Sequence, residues 1–204
     1  MRNWWRIQIL LCASVLLSAL AACRFQETDL AGLPIEVSQA DTQSVDVGVI
    51  VENVQAQVQK VLPGAYLTAF AFTGQCQGLP ELHGQVHLQF VRVKSFLFYQ
   101  QVLVALASVD TIQETLEIQT RDFSDYYWST DPLLPQDVSV AKEIANIAHK
   151  HIAGLGIPAC DVTLSNMGQT WHVLCTEPGS GPTGSRLCEY EIDAATLQIV
   201  TANQ

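Results

Sequence analysis

The chain has 204 residues, with 20 Asp and Glu against 10 Lys and Arg, a formal net charge of −10 at pH 7. Beyond the N-terminus its basic residues (Lys60, Arg92, Lys94, Arg121, Lys142, Lys150 and Arg186) are scattered, so the sequence offers no stripe to neutralise a phosphate backbone. Nucleic acid is therefore a poor partner, and a polybasic patch for anionic lipid is missing for the same reason.

In chain order, Arg2 and Arg6 precede an apolar run at residues 7–20 interrupted by Gln8, Ser14 and Ser18, and Leu20-Ala21-Ala22-Cys23 closes it. The pattern has the form of an export signal at residues 1–22. It is too short for a comfortable membrane span, which needs about 20 apolar residues. Its end resembles the lipobox at which bacterial lipoproteins are cleaved and acylated. That resemblance implies a mature chain beginning at Cys23 with a diacylglyceryl group and an amide-linked fatty acid. It also implies a cell-envelope location, with a membrane anchor at Cys23 and the body outside the cytoplasm. Several acyl chains, at about 0.8 kcal/mol per buried methylene, make a lasting anchor.

Residues 23–44 turn polar at Arg24, contain Gly32 and Pro34 and show no sustained period, which predicts a flexible tether. Residues 46–62 are expected to form a helix, with Val47, Val51, Val54, Val58 and Val61 as its apolar stripe and Pro63-Gly64 as its stop. Strands are expected at 66–72, 85–94, 102–109 and 116–120; in the second, Val86, Leu88 and Phe90 alternate with His87 and Gln89. Residues 122–137, aromatic and proline-bearing, are a linker. A second helix at 138–153 carries Val140, Ile144, Ile147 and Ile152, and strands follow at 160–164, 170–176, 187–192 and 197–202.

This order predicts an α+β fold of two similar units, residues 45–121 and 138–204, each one helix packed on an antiparallel meander of three to four strands. Asn53-Val54 aligns with Asn146-Ile147, and Ser108-Val109-Asp110-Thr111 with Glu191-Ile192-Asp193-Ala194, the pattern of a divergent duplication with insertions. Four cysteines follow Cys23: Cys76, Cys160, Cys175 and Cys188. In an exported chain they read as two disulfides, with three connectivities open. Cys175 with Cys188 is favoured because the two fall on neighbouring strands, which leaves Cys76 with Cys160.

The alanine- and isoleucine-rich second helix, Trp171-His172-Val173 and the closing run from Tyr190-Glu191-Ile192-Asp193-Ala194-Ala195-Thr196-Leu197 resemble the PepSY and PepSY-like domains. Leu197 stands where that family's final turn has glycine. The resemblance covers roughly residues 138–204 and implies a helix packed on an antiparallel sheet. Tandem units of this kind are compared with the β-lactamase-inhibitor-protein fold, and inhibition or ligand binding in exported proteins is the implied role.

Catalytic chemistry finds little support. Ser180 and Ser185 sit in a Gly- and Pro-rich loop rather than a strand–turn–helix nucleophile elbow. His83 and His87 are four residues apart in an extended segment, about 13 Å, and His149 and His151 are two apart on a helix. Asp110 and Asp193 suit turns that bond local backbone. No metal or cofactor is expected, and the chain is not expected to be an enzyme. Recognition is the remaining chemistry. Phe96, Leu97, Phe98 and Tyr99 occupy a hairpin connection where polar residues are usual. They either pack inward or anchor a partner. Tyr126, Tyr127 and Trp128 are the next candidates, then the loop 177–185. The expected function is a non-enzymatic lipoprotein that binds or inhibits a protein or peptide of the envelope, such as a protease. The alternatives are a structural component of an envelope assembly complex and a carrier of an apolar ligand.

Overall fold

The computed structural model describes residues 27–35, 45–95, 100–123 and 131–203. Helix α1 (Val47–Val61) starts where Asp46 accepts a hydrogen bond from the Val49 N–H at 3.2 Å, an N-cap that satisfies an otherwise orphaned donor. Its inner face is Val47, Ile50, Val54 and Val58, so the stripe centres on Ile50. At its other end the Gln59 amide accepts from the Gly64 N–H and donates to the Ala65 carbonyl, both at 2.7 Å, fixing the turn into the first central strand.

The second helix is interrupted. α2 (Pro135–Ser139) opens with proline at its first position, where a missing N–H costs nothing, and Asp137 accepts from the Leu134 N–H at 2.8 Å. Val140 is a turn residue (φ −82°, ψ 0°) between this helix and α3 (Ala141–Gly154). Ala141, Ala145 and Ala148 are fully buried and let this helix lie close to the sheet.

The strands are β1 (Asp29–Pro34), β2 (Tyr66–Gln75), β3 (Gly84–Ser95), β4 (Gln100–Asp110), β5 (Thr115–Phe123), β6 (Asp161–Met167), β7 (Thr170–Thr176), β8 (Arg186–Asp193) and β9 (Ile199–Asn203). They form one antiparallel sheet in the order β1-β5-β4-β3-β2-β6-β7-β8-β9. The expected architecture of two units on separate three- to four-stranded sheets is thus overturned. The first strand after each long helix would be an exposed edge in a separate unit, with a row of unpaired N–H and C=O groups. Here those two strands, β2 and β6, pair with each other from Ala71↔Ser165 to Gln75↔Asp161 and fuse the meanders. Apart from β1, the strand order is palindromic about this seam.

The tether reading is also corrected at residues 29–34, which form edge strand β1 on β5. Leu30 and Leu33 are its half-buried residues, but Gly32 (φ 70°) sits where the register shifts between them, and this bulge hides the alternation.

All the long helices pack on one face of the sheet. Ile50, Val54 and Val58 of α1 and Ile144, Ala148 and Ile152 of α3 share a single core with Phe70, Phe72, Val86, Leu88, Phe90, Leu164, Trp171, Val173 and Ile192. Trp171 meets Phe70 edge-on with ring centres 5.4 Å apart. The Tyr190 hydroxyl, buried beneath α3, donates to the Ala148 carbonyl at 3.2 Å, and burial raises its pKa.

Candidate functional site

The opposite face of the sheet carries no long helix; among the described elements only the 3-10 turn Gly181–Thr183 lies on it, over Asp161 and Thr176 at the β6–β7 corner. Strand alternation puts the core residues on one side and half-exposed residues on the other. The register lines those outer residues up. One row runs Glu117, Ser108, His87, Ala71, Ser165, His172, Glu191 and Thr201, each directly opposite the next. A second runs Asp110, Gln85, Thr73, Thr163, Leu174, Glu189 and Asn203. At about 4.8 Å per strand the first row spans roughly 34 Å. Its middle is made of small side chains, so the face is open where β2 meets β6.

Two histidines stand on this face and both are engaged. His87 Nδ1 is 3.0 Å from Ser108 Oγ and its Nε2 is 3.2 Å from Thr73 Oγ1, so each ring nitrogen has a hydroxyl partner. Burial lowers the His87 pKa, which keeps the imidazole neutral, one nitrogen donating and the other accepting. His172 Nε2 donates to Glu189 Oε1 at 2.9 Å, and Arg186 Nη1 donates to Glu189 Oε2 at 2.6 Å. The His172 hydrogen bond, with the Arg186 charge behind it, holds the Glu189 carboxyl below its ordinary range. Both rings brace strands, His87 through both of its nitrogens and His172 through Nε2.

Toward the β3–β4 hairpin the same face turns apolar. Val91 and Val104 oppose each other there, both buried yet separate from the helix-side core, with Val93 and Val102 beyond and Leu106 alongside, 38% exposed.

Cys175 and Cys188, directly opposite each other on β7 and β8, form the favoured disulfide, with 4.9 Å between Cα atoms. Cys76 and Cys160 are buried free thiols. The loop after Cys175 folds back onto the sheet: Thr176 Oγ1 donates to the Gly181 carbonyl at 2.8 Å and the Gly181 N–H donates to Asp161 Oδ2 at 3.1 Å. Asp110 and Asp193 are turn residues, each accepting from N–H groups two and three residues on. His149 Nδ1 lies 2.9 Å from the Cys76 carbonyl oxygen, while the His151 ring stacks edge-on against Tyr190.

Cys23, Phe96, Leu97, Phe98, Tyr99, Tyr126, Tyr127 and Trp128 lie outside the described residues. Among the described residues no cluster of three or more His, Cys, Asp or Glu could hold a metal ion, and no helix is long and apolar enough to cross a membrane. Sequence reasoning missed the open face as a site. Its signal was present in the polar half of each alternation, His87 and Gln89 for example, but which strands those residues face depends on the long-range register. No family model, curated protein or solved structure matches the chain.

Proposed function

We propose that this chain is a lipid-anchored protein of the bacterial cell envelope that binds a protein or peptide partner and does not catalyse a reaction. The observation that carries the reading is the broad outer face of the sheet, small-side-chained at its centre and covered by a described element only at the Asp161–Thr176 corner, while the other face holds both long helices. A wide, pre-formed surface on a rigid scaffold suits docking of another macromolecule, which moves little on binding. The rows across it include Glu117, Glu191, Asp110 and Glu189, whereas Arg121 and the Glu189-bound Arg186 are its nearby cations. The partner therefore presents basic groups, and the acidic balance of the whole chain speeds its approach. The engagement of both ring nitrogens of His87 by hydroxyl groups supports a binding role over a hydrolytic one at the centre of the face. The PepSY-like features of residues 138–204 support it by resemblance, and the lipobox-like Cys23 supports the envelope location.

The test is capture of the partner from native membranes by the full chain and by two variants, Ala71→Arg and Ser165→Arg. Each places a long cation at the centre of the open face without entering the core. Loss of at least tenfold of the captured partner, with thermal midpoints unchanged, is expected. Undiminished capture by both folded variants would overturn the proposal.

A further inference from the structure

Cys76 and Cys160 meet at the seam between the two meanders. The β2–β6 register runs to Gln75↔Asp161, and its next step sets Cys76 directly opposite Cys160. The Cys76 N–H donates to the Cys160 carbonyl at 3.0 Å, so the backbone holds this pairing even though the chain has entered a 3-10 turn at Cys76–Gly78. Both side chains are buried, 4% and 1% exposed, and the two thiols are in hydrogen-bonding contact. Directly opposed residues of an antiparallel pair have Cα atoms about 4.5–5.5 Å apart, inside the range a disulfide spans. Cys175 and Cys188 show this arrangement already bridged two strands away.

We propose that Cys76 and Cys160 are joined by a second disulfide in the exported protein, stapling the β2–β6 seam. The proposal rests on the extracytoplasmic location of the body. The Sγ–Sγ bond forms by thiol–disulfide exchange: one thiolate attacks a disulfide of an oxidised dithiol protein of that compartment, and the second displaces the mixed disulfide. The two cysteines lose two protons and two electrons, and the oxidant leaves as its dithiol. Burial, followed by the contact with Cys76, pushes the Cys160 thiol up to about 12, which leaves almost no thiolate in the finished fold. Exchange therefore takes place during folding, before α3 closes over the pair. A bridge closing so long a loop restricts the unfolded chain strongly.

The experiment is to collect the full chain from the envelope fraction, trap thiols with N-ethylmaleimide in acidic denaturant, and map linked peptides by mass spectrometry. The expected result is one link between the Cys76 and Cys160 peptides and one between Cys175 and Cys188. Alkylation of both Cys76 and Cys160 beside an intact Cys175–Cys188 link would overturn the bridge while leaving export standing. Alkylation of all four would overturn the bridge and the extracytoplasmic location together. A link from Cys160 to Cys175 or Cys188 would overturn the assigned pairing. In a second arm, the fully reduced chain is exposed to oxidised glutathione. The Cys76–Cys160 link is expected to form at least a hundredfold faster from denatured than from folded protein, and equal rates would overturn the folding-coupled route.

Discussion

Two turns at equivalent places in the two meanders use the same device. Asp110 Oδ1 accepts from the N–H groups of Ile112 and Gln113, and Asp193 Oδ1 accepts from those of Ala195 and Thr196. Four residues beyond each aspartate the backbone enters the left-handed region, at Glu114 (φ 53°) and Leu197 (φ 56°). A side chain there costs about 1–2 kcal/mol that glycine avoids. Leu197→Gly, at a position 36% exposed, is therefore expected to raise stability by about 1 kcal/mol in denaturant unfolding after the entropic cost of glycine is subtracted; a loss would show that Leu197 packs more than it strains. The sequence displayed the missing glycine but gave no sign that the backbone keeps the glycine conformation, because the aspartate hydrogen bonds that enforce it are set by the turn as a whole. Asp193 also confers pH dependence. Hydrogen bonds from the Thr196 N–H, the Thr196 hydroxyl and the Ala195 N–H hold its carboxyl below the ordinary range. Its folded pKa is below its unfolded one, so its stabilisation is complete above the unfolded value, about pH 4, and is lost as pH falls through the folded value. Asp193→Ala should be less stable than wild type at pH 7, with the gap narrowing toward pH 2; a gap independent of pH would contradict this.

Elements with a strong local period were legible, and those that depend on distant pairing were not. The valine stripe of α1 and the alternation of β3 fixed those elements to within a residue or two. The break at Val140 was hidden because its apolar side chain continues the helical pattern across the turn and its backbone stays in the right-handed region. β1 was hidden by the Gly32 bulge. The β2–β6 pairing joins segments with three strands and two α-helices between them, and no local pattern encodes it. Within the first meander, β2 and β3 approach closely at Gly74↔Gly84. A Cβ on Gly74 would lie 2.6 Å from the Phe72 ring, and one on Gly84 would collide with the Thr73 carbonyl oxygen, so Phe72 and the neighbouring backbone fill the space both glycines leave. Gly84→Ala is expected to cost about 2–4 kcal/mol by forcing the strands apart, measured by urea unfolding. A cost under about 0.5 kcal/mol would mean the pair is not closely packed.

At the scale of the molecule, the expected fold of two separate helix-on-sheet units was not sustained: the strands after both long helices belong to one nine-stranded sheet. Fusing the meanders removes two sheet edges and creates one broad sheet with a core on its helix side. The candidate site is a consequence of that fusion: Ala71 and Ser165 lie at the centre of the open face only because β2 and β6 pair. The sequence pointed to aromatic clusters as recognition elements because large apolar residues in connections are visible locally. A face assembled from single residues on eight strands is visible only once the strands are in register. The central claim, that this face docks the partner, is tested most directly by placing a photo-crosslinking side chain at Ser165 and, in a separate preparation, at Gln55 on the exposed side of α1, in the full chain in its own membranes. One partner crosslinked from Ser165 and not from Gln55 is expected; a partner crosslinked from Gln55 with none from Ser165 would rule out docking on this face.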